Sequence, residues 1–127
     1  MAITSAKTFK NFIGGEWVDA ASGETFESIS PADGETLGVF PKSGPEDVDR
    51  AVAVAKQAFE EWRLVPAPQR GEILFRFAQL IAEHKAELAD LMTHEMGKVT
   101  AEAGGDVQEA IDMSYYMAGE GRRLWAT

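Results

Sequence analysis

A β-rich opening of about forty residues followed by three amphipathic helices is the architecture the sequence predicts, and three observations carry that reading. Gly14-Gly15 lies between two apolar pairs, Pro31-Ala32-Asp33-Gly34 has the composition of a turn, and from Ser43 onward the apolar residues recur at helical spacing. Phe12 and Ile13 precede the glycine pair and Trp17 and Val18 follow it. A Gly-Gly pair tolerates the positive φ that a two-residue hairpin turn needs, so Phe9 to Val18 reads as a β-hairpin. Asp19 to Gly23 is small and polar, hence a loop. Thr25 to Ser30 then reads as a strand with Phe26 and Ile29 spaced by polar residues. In the turn after it, Pro31 presets φ and Gly34 accepts the strained position, which predicts a further strand over Thr36 to Pro41. These are short antiparallel strands, without the strand-helix alternation of a complete parallel sheet.

The helices follow from periodicity. Ser43 with Glu46 three residues later forms a capping box on paper, with Pro45 at an early-turn position where a missing N–H costs nothing. Val48, Ala51, Val52, Ala55, Phe59 and Trp62 then line one helical face that ends before Pro66. A second helix is expected from near Pro68 to Gly97, with Ile73, Leu74, Phe77, Leu80, Ile81, Leu88 and Leu91 on its buried stripe. A third should open near Asp106, after Gly104-Gly105, and run through Val107, Ala110, Ile111 and Tyr115 toward Gly119 or Gly121. There is no internal repeat and no low-complexity segment.

The composition bounds the function. The 127 residues are 45% hydrophobic, 26% charged and 9% aromatic, which fits an ordinary globular domain able to bury roughly two-thirds of its unfolded surface. Twelve Lys and Arg against 21 Asp and Glu give a net charge of −9, so phosphate backbones and anionic lipid are repelled and neither nucleic acid nor a membrane surface is an expected partner. Met1 to Lys10 lacks an apolar core before a cleavage site, and no window reaches the roughly 18 apolar residues of a membrane span, which makes the cytoplasm the default address. With no cysteine in the chain, disulfides, thiolate metal sites and thiolate catalysis are all excluded from it.

Local motifs for chemistry mostly fail on their spacing. His94-Glu95 begins like a zinc-protease helix, but Lys98 stands where the second histidine belongs. Gly119-Glu120-Gly121 begins like a dinucleotide loop, yet it ends a helix and Leu124 replaces the third glycine. His84 and His94 have no evident carboxylate partners and read as solvated surface residues. Met113, Tyr115, Tyr116 and Met117 form an aromatic and sulfur-rich stripe, which is expected to pack as core. Gln108, Asp112 and Tyr115, four and three residues apart, share one helix face and would select a substrate if that face bordered a cavity. No two carboxylates are paired for acid-base work.

Motif order is more specific than any single motif. Phe12-Ile13-Gly14-Gly15-Glu16-Trp17, Ser22-Gly23, Ser30-Pro31-Ala32-Asp33-Gly34-Glu35, Glu46 to Val52, Phe59, Trp62, Arg70, Ile73-Leu74, Glu95-x-Gly97-Lys98 and Tyr115-Tyr116-x-Ala118-Gly119 together resemble the N-terminal part of the NAD(P)-dependent aldehyde dehydrogenase superfamily, from about Phe9 to Trp125. The resemblance implies an α/β parent several-fold longer, with a Rossmann-like cofactor domain, a catalytic domain and an oligomerisation arm. It implies that this chain is an N-terminal portion of the cofactor-binding domain, β-rich over 1–42 and helical over 43–127, with the catalytic domain absent. In that family a cysteine thiolate attacks the aldehyde, hydride passes to NAD or NADP, and a glutamate activates the water that hydrolyses the thioester. A chain without cysteine is therefore expected to be inactive alone, with no catalytic or cofactor-binding residues of its own. The alternative is a non-catalytic helical interaction module built from the same segment.

Two further expectations come from the resemblance. Some members bind a structural Na⁺ or K⁺ through main-chain oxygens and an acidic residue, at positions that correspond to Ser28, Ile29 and Glu95, with Ser30 in place of the usual Asn. The third helix borders the mouth of the aldehyde tunnel in the family, which implies a substrate-facing role for Gln108, Asp112 and Tyr115. The ending from Tyr115 to Arg123 is suggestive of members acting on semialdehydes. The implied partners are the rest of the parent enzyme, a small aldehyde, or a second copy gathered through apolar helix faces that later residues would otherwise cover.

Overall fold

The computed structural model describes residues 7–123, which fall into two compact units divided between Trp62 and Arg63. Trp125, the last residue of the family resemblance, lies outside the described residues.

The first unit contains two hairpins and one helix. β1 (Asn11–Ile13) pairs antiparallel with β2 (Glu16–Val18), and Gly14 and Gly15 take φ of 65° and 85° between them. Two consecutive positive φ values are the turn whose twist matches that of paired strands, so the glycine pair sets the register Phe12 opposite Trp17. Their rings meet at 4.9 Å. β3 (Thr25–Ile29) pairs antiparallel with β4 (Thr36–Pro41), with an irregularity after Ser28 that leaves Leu37 without an opposite residue. The segment preceding β1 then runs parallel to β4: Phe9 N–H donates to the Val39 carbonyl at 2.8 Å, and Val39 N–H donates to Lys7 at 3.0 Å. Phe9 stacks on Phe40 at 4.7 Å, and this close approach requires Gly38, because a Cβ there would stand 2.7 Å from the Phe9 ring.

The start of α1 (Pro45–Trp62) corrects the expected capping box. Asp47, three residues after Gly44, accepts from Gly44 N–H at 2.9 Å with one carboxylate oxygen and from Ala21 N–H at 2.9 Å with the other. Ser43 instead accepts from the Asn11 side-chain amide at 2.8 Å. Only the return half of a capping box is present, one residue later than the sequence suggests: the carboxylate at the third helical position accepts from the Gly44 N–H, and glycine has no side chain to reciprocate. Asp47 is buried, and these two N–H groups, Gly44 first, hold its carboxyl below the ordinary Asp range. The apolar stripe of α1 is exposed at Val48, Val52, Phe59 and Trp62.

The second unit has three helices where two were expected, α2 (Ala67–Glu83), α3 (Lys85–Met96) and α4 (Thr100–Glu120), which makes four among the described residues. The long second helix divides at His84, whose φ of −100° and ψ of 14° leave the helical region. His84 N–H still reaches the Leu80 carbonyl, and its ring nitrogen Nδ1 lies 2.9 Å from Glu87 in the first turn of α3. His84 therefore has the carboxylate partner that the sequence did not reveal, in an exposed pair. α3 ends at Gly97, left-handed with φ 73°, as its position predicted.

α4 begins at Thr100, six residues before the expected start, and carries Gly104 and Gly105 inside it. Two glycines cost a helix about 1 kcal/mol each, and the offset is burial of Ala103, Val107 and Ile111 against Ala89 of α3, with Ile81, Leu88 and Met92 packed around them. α2 and α4 approach so closely that a Cβ on Gly71 would stand 2.5 Å from the Ala118 carbonyl oxygen. Among the described residues, no helix is long and apolar enough to cross a membrane.

Candidate functional site

The outer face of α4 holds the polar side chains that the sequence singled out. Four-residue spacing stacks Gln108 under Asp112, and the Gln108 amide N–H donates to the Asp112 carboxylate at 2.9 Å. The amide oxygen of Gln108 accepts from the Lys85 ammonium of α3 at 2.8 Å. Lys85, Gln108 and Asp112 thus form one chain in which the amide has a single favourable orientation. Beside it runs an open groove of about 570 Å³ lined by Gly105, Gln108, Glu109, Asp112, Met113 and Tyr116. Nothing stands within 4 Å of where a Gly105 Cβ would be, so the absence of a side chain there keeps that end of the groove open.

Tyr115 departs from the expected trio. It turns toward α2, its ring 6.1 Å from that of Phe75, and Tyr116 takes the place beside Asp112 in the groove. The expected core stripe is a correction as well: Met113, Tyr115, Tyr116 and Met117 are exposed, because the α4 face buried in this unit is the one bearing Ala103, Val107, Ile111 and Ala118. Glu109 joins the groove as an exposed side chain, and its three-residue offset from Asp112 was the available signal.

A second, apolar groove of about 560 Å³ lies among Phe77, Ile81, Leu88, Leu91, Met92 and Met96, with Glu95 at its edge. Close by in sequence, Lys98 donates to Asp106 across the α3–α4 turn; this hydrogen bond, together with the charges of Asp106 and Glu102, holds the ammonium above the ordinary Lys range. Of the expected cation ligands, Glu95 sits exposed near the end of α3 in the second unit, and Ser28 and Ile29 sit at the β3 irregularity in the first. Among the described residues no three His, Asp or Glu side chains are grouped to hold a metal ion.

The Gly-x-Gly at the end of α4 is committed to helix packing, because a Cβ on Gly121 would stand 2.6 Å from the Ala67 carbonyl oxygen. With no cysteine in the sequence, the chain also has no thiol nucleophile. What the α4 groove offers is recognition: an oriented amide, two carboxylates, an aromatic ring and a thioether.

Comparisons with known proteins bear on what such a groove belongs to. The Aldehyde dehydrogenase family matches residues 17–127. Malonate-semialdehyde dehydrogenase 3 of Geobacillus kaustophilus is 51% identical over 117 residues, covering 92% of this chain and 24% of that protein. Malonate-semialdehyde dehydrogenase of Halalkalibacterium halodurans is 46% identical over 92% of this chain, again 24% of its own length. Among solved structures, an NAD-dependent aldehyde dehydrogenase from Sinorhizobium meliloti superposes with a TM-score of 0.90 at 34% identity, covering 96% of this chain and 25% of that one. 3,6-Anhydro-L-galactose dehydrogenase in complex with NAP gives 0.89 at 37% identity, covering 93% and 25%. The chain spans about a quarter of the length of the relatives it matches. Over that quarter the hairpins, the order of the helices and the sequence itself agree with these relatives, and the chain belongs to the aldehyde dehydrogenase family.

Proposed function

We propose that this chain is the N-terminal segment of an NAD(P)⁺-dependent enzyme that oxidises a small aldehyde to a carboxylic acid, and that the α4 groove faces the aldehyde. The observation that carries the reading is the family match over 17–127 together with relatives at 51% identity. Hydride acceptance belongs to the nicotinamide, and the thiolate that attacks the carbonyl belongs to residues other than these. The contribution of this segment is to orient and select substrate through Gln108, Glu109, Asp112 and Tyr116, while Tyr115 buttresses α4 against α2. Support for a larger assembly comes from the apolar side chains left open: Phe59 is 54% exposed, Leu64 71% and Phe77 51%, an extent that marks surfaces meant for contact.

The test is turnover followed through reduced nicotinamide. The whole enzyme carrying this segment is expected to reduce NAD⁺ or NADP⁺ when propanal is added, and the 127-residue chain alone is not. A whole enzyme inert toward every small aldehyde would sink the reading, and turnover by the isolated chain would sink the division of labour.

A further inference from the structure

The charges in the α4 groove carry a statement about substrate class that rests on the substrate-facing reading above. Glu109 and Asp112 are both exposed and lie one helical turn apart on the wall of the same groove, and no Lys or Arg is among its lining residues. The cation of the hydrogen-bonded chain is Lys85, whose ammonium donates to the Gln108 amide oxygen at 2.8 Å and which is not among the lining residues. The Gln108 N–H that points the other way is taken by Asp112 at 2.9 Å. The relay orients the amide, and both carboxylates remain as the charged groups of the wall. Tyr116 and Met113, 59% and 53% exposed, add an aromatic ring and a polarisable sulfur next to them.

We propose that the enzyme favours aldehydes whose tail is cationic or neutral and discriminates against aldehydes whose tail ends in a carboxylate, with Glu109 and Asp112 as the discriminating groups. A carboxylate entering the groove meets two like charges on this wall and, among the described lining residues, no cation to pair with, and juxtaposed like charges are disfavoured. An ammonium tail meets two carboxylates and the face of Tyr116, an arrangement that also suits cation–π attraction. The substrate named for the malonate-semialdehyde relatives carries a carboxylate, so this chain is expected to part from them in specificity despite 51% identity to one of them.

Three aldehydes with the same three-carbon skeleton isolate the charge: 3-aminopropanal, propanal and malonate semialdehyde. With the whole enzyme, kcat/KM is expected to fall in that order, with malonate semialdehyde about tenfold below propanal at low ionic strength and the gap narrowing as salt is added. The double variant Glu109→Gln/Asp112→Asn, isosteric and on an exposed helix face, should compress the propanal-to-malonate-semialdehyde ratio several-fold, and Glu109→Arg should compress or invert it. Malonate semialdehyde as the best of the three, or a ratio that neither variant moves, overturns the charge assignment while leaving the dehydrogenase reading intact. Absence of turnover with all three overturns that reading and the charge assignment with it.

Discussion

The two compact units use a glycine for close approach in different ways. In the first, Gly38 makes room for a side chain, the Phe9 ring, which can swing aside; in the second, Gly71 makes room for the Ala118 carbonyl, which is part of a helix backbone and cannot. The first unit is closed by main-chain hydrogen bonds, stacked rings and a single carboxylate bridging two N–H groups. The second is closed by helices at contact distance around small residues, Ala89 and Ala103 among them. Directional polar links tolerate local adjustment, whereas a backbone-to-backbone fit transmits any added volume to both helices.

Four substitutions would break or sharpen that contrast. Gly71→Ala should be the most damaging: the gain in helix propensity is about 1 kcal/mol, and forcing apart α2 and α4 should cost about 2–3 kcal/mol beyond it in denaturant unfolding. Gly38→Ala should cost less, about 1–2 kcal/mol, because the Phe9 ring rotates off Phe40; an equal or larger loss than at Gly71 would remove the distinction between the units.

Asp47→Ala should lower the melting temperature by a few degrees through loss of both N–H contacts, which joins the first hairpin's exit to α1. Since the folded carboxyl titrates below its unfolded value, its contribution is present above about pH 4 and is lost as pH falls through the folded value. A parent and an Asp47→Ala variant whose melting temperatures stay equally far apart in strong acid would exclude that linkage.

The smallest effect tests the start of α4. Gly104→Ala has open space at the Cβ position and a helical backbone, so it should stabilise by about 0.5–1 kcal/mol. A neutral result would place the residue outside a stable helix, as the sequence had suggested.

Much of the first unit was legible because its information is local. Gly14-Gly15 sets a hairpin, Pro31 to Gly34 a turn, and Pro45 a helix start, each through φ preferences of the residues themselves. The capping residue was misplaced by one because Ser43 and Asp47 both suit a helix N-terminus, and only the positions of Asn11 and Ala21 settle which oxygen bonds where. The parallel addition of Phe9 to β4 was hidden, since the two strands are about thirty residues apart in sequence.

In the second unit, the break at His84 did leave a trace: the stripe that runs through Leu80 and Ile81 places His84 and Lys85 where apolar residues belong. The early start of α4 left none, because a glycine pair ordinarily argues against a helix interior and tertiary burial overrode it. The groove was half legible. Gln108 and Asp112 follow from helical spacing, but the exchange of Tyr115 for Tyr116 depends on a neighbour of Tyr115 in space, the ring of Phe75 on α2.

By itself, the sequence determined which segments turn, which are helical, that the chain is acidic and without thiols, and to which family its motif order points. Those properties are set by backbone preference, periodicity and chemical type, none of which requires knowing what lies across the fold. The tertiary structure decided where α2 ends, that α4 swallows two glycines, and that Glu109 and Asp112 share a wall whose described lining holds no Lys or Arg. Each of those depends on a free-energy balance between segments distant in sequence, and only packing fixes which side prevails.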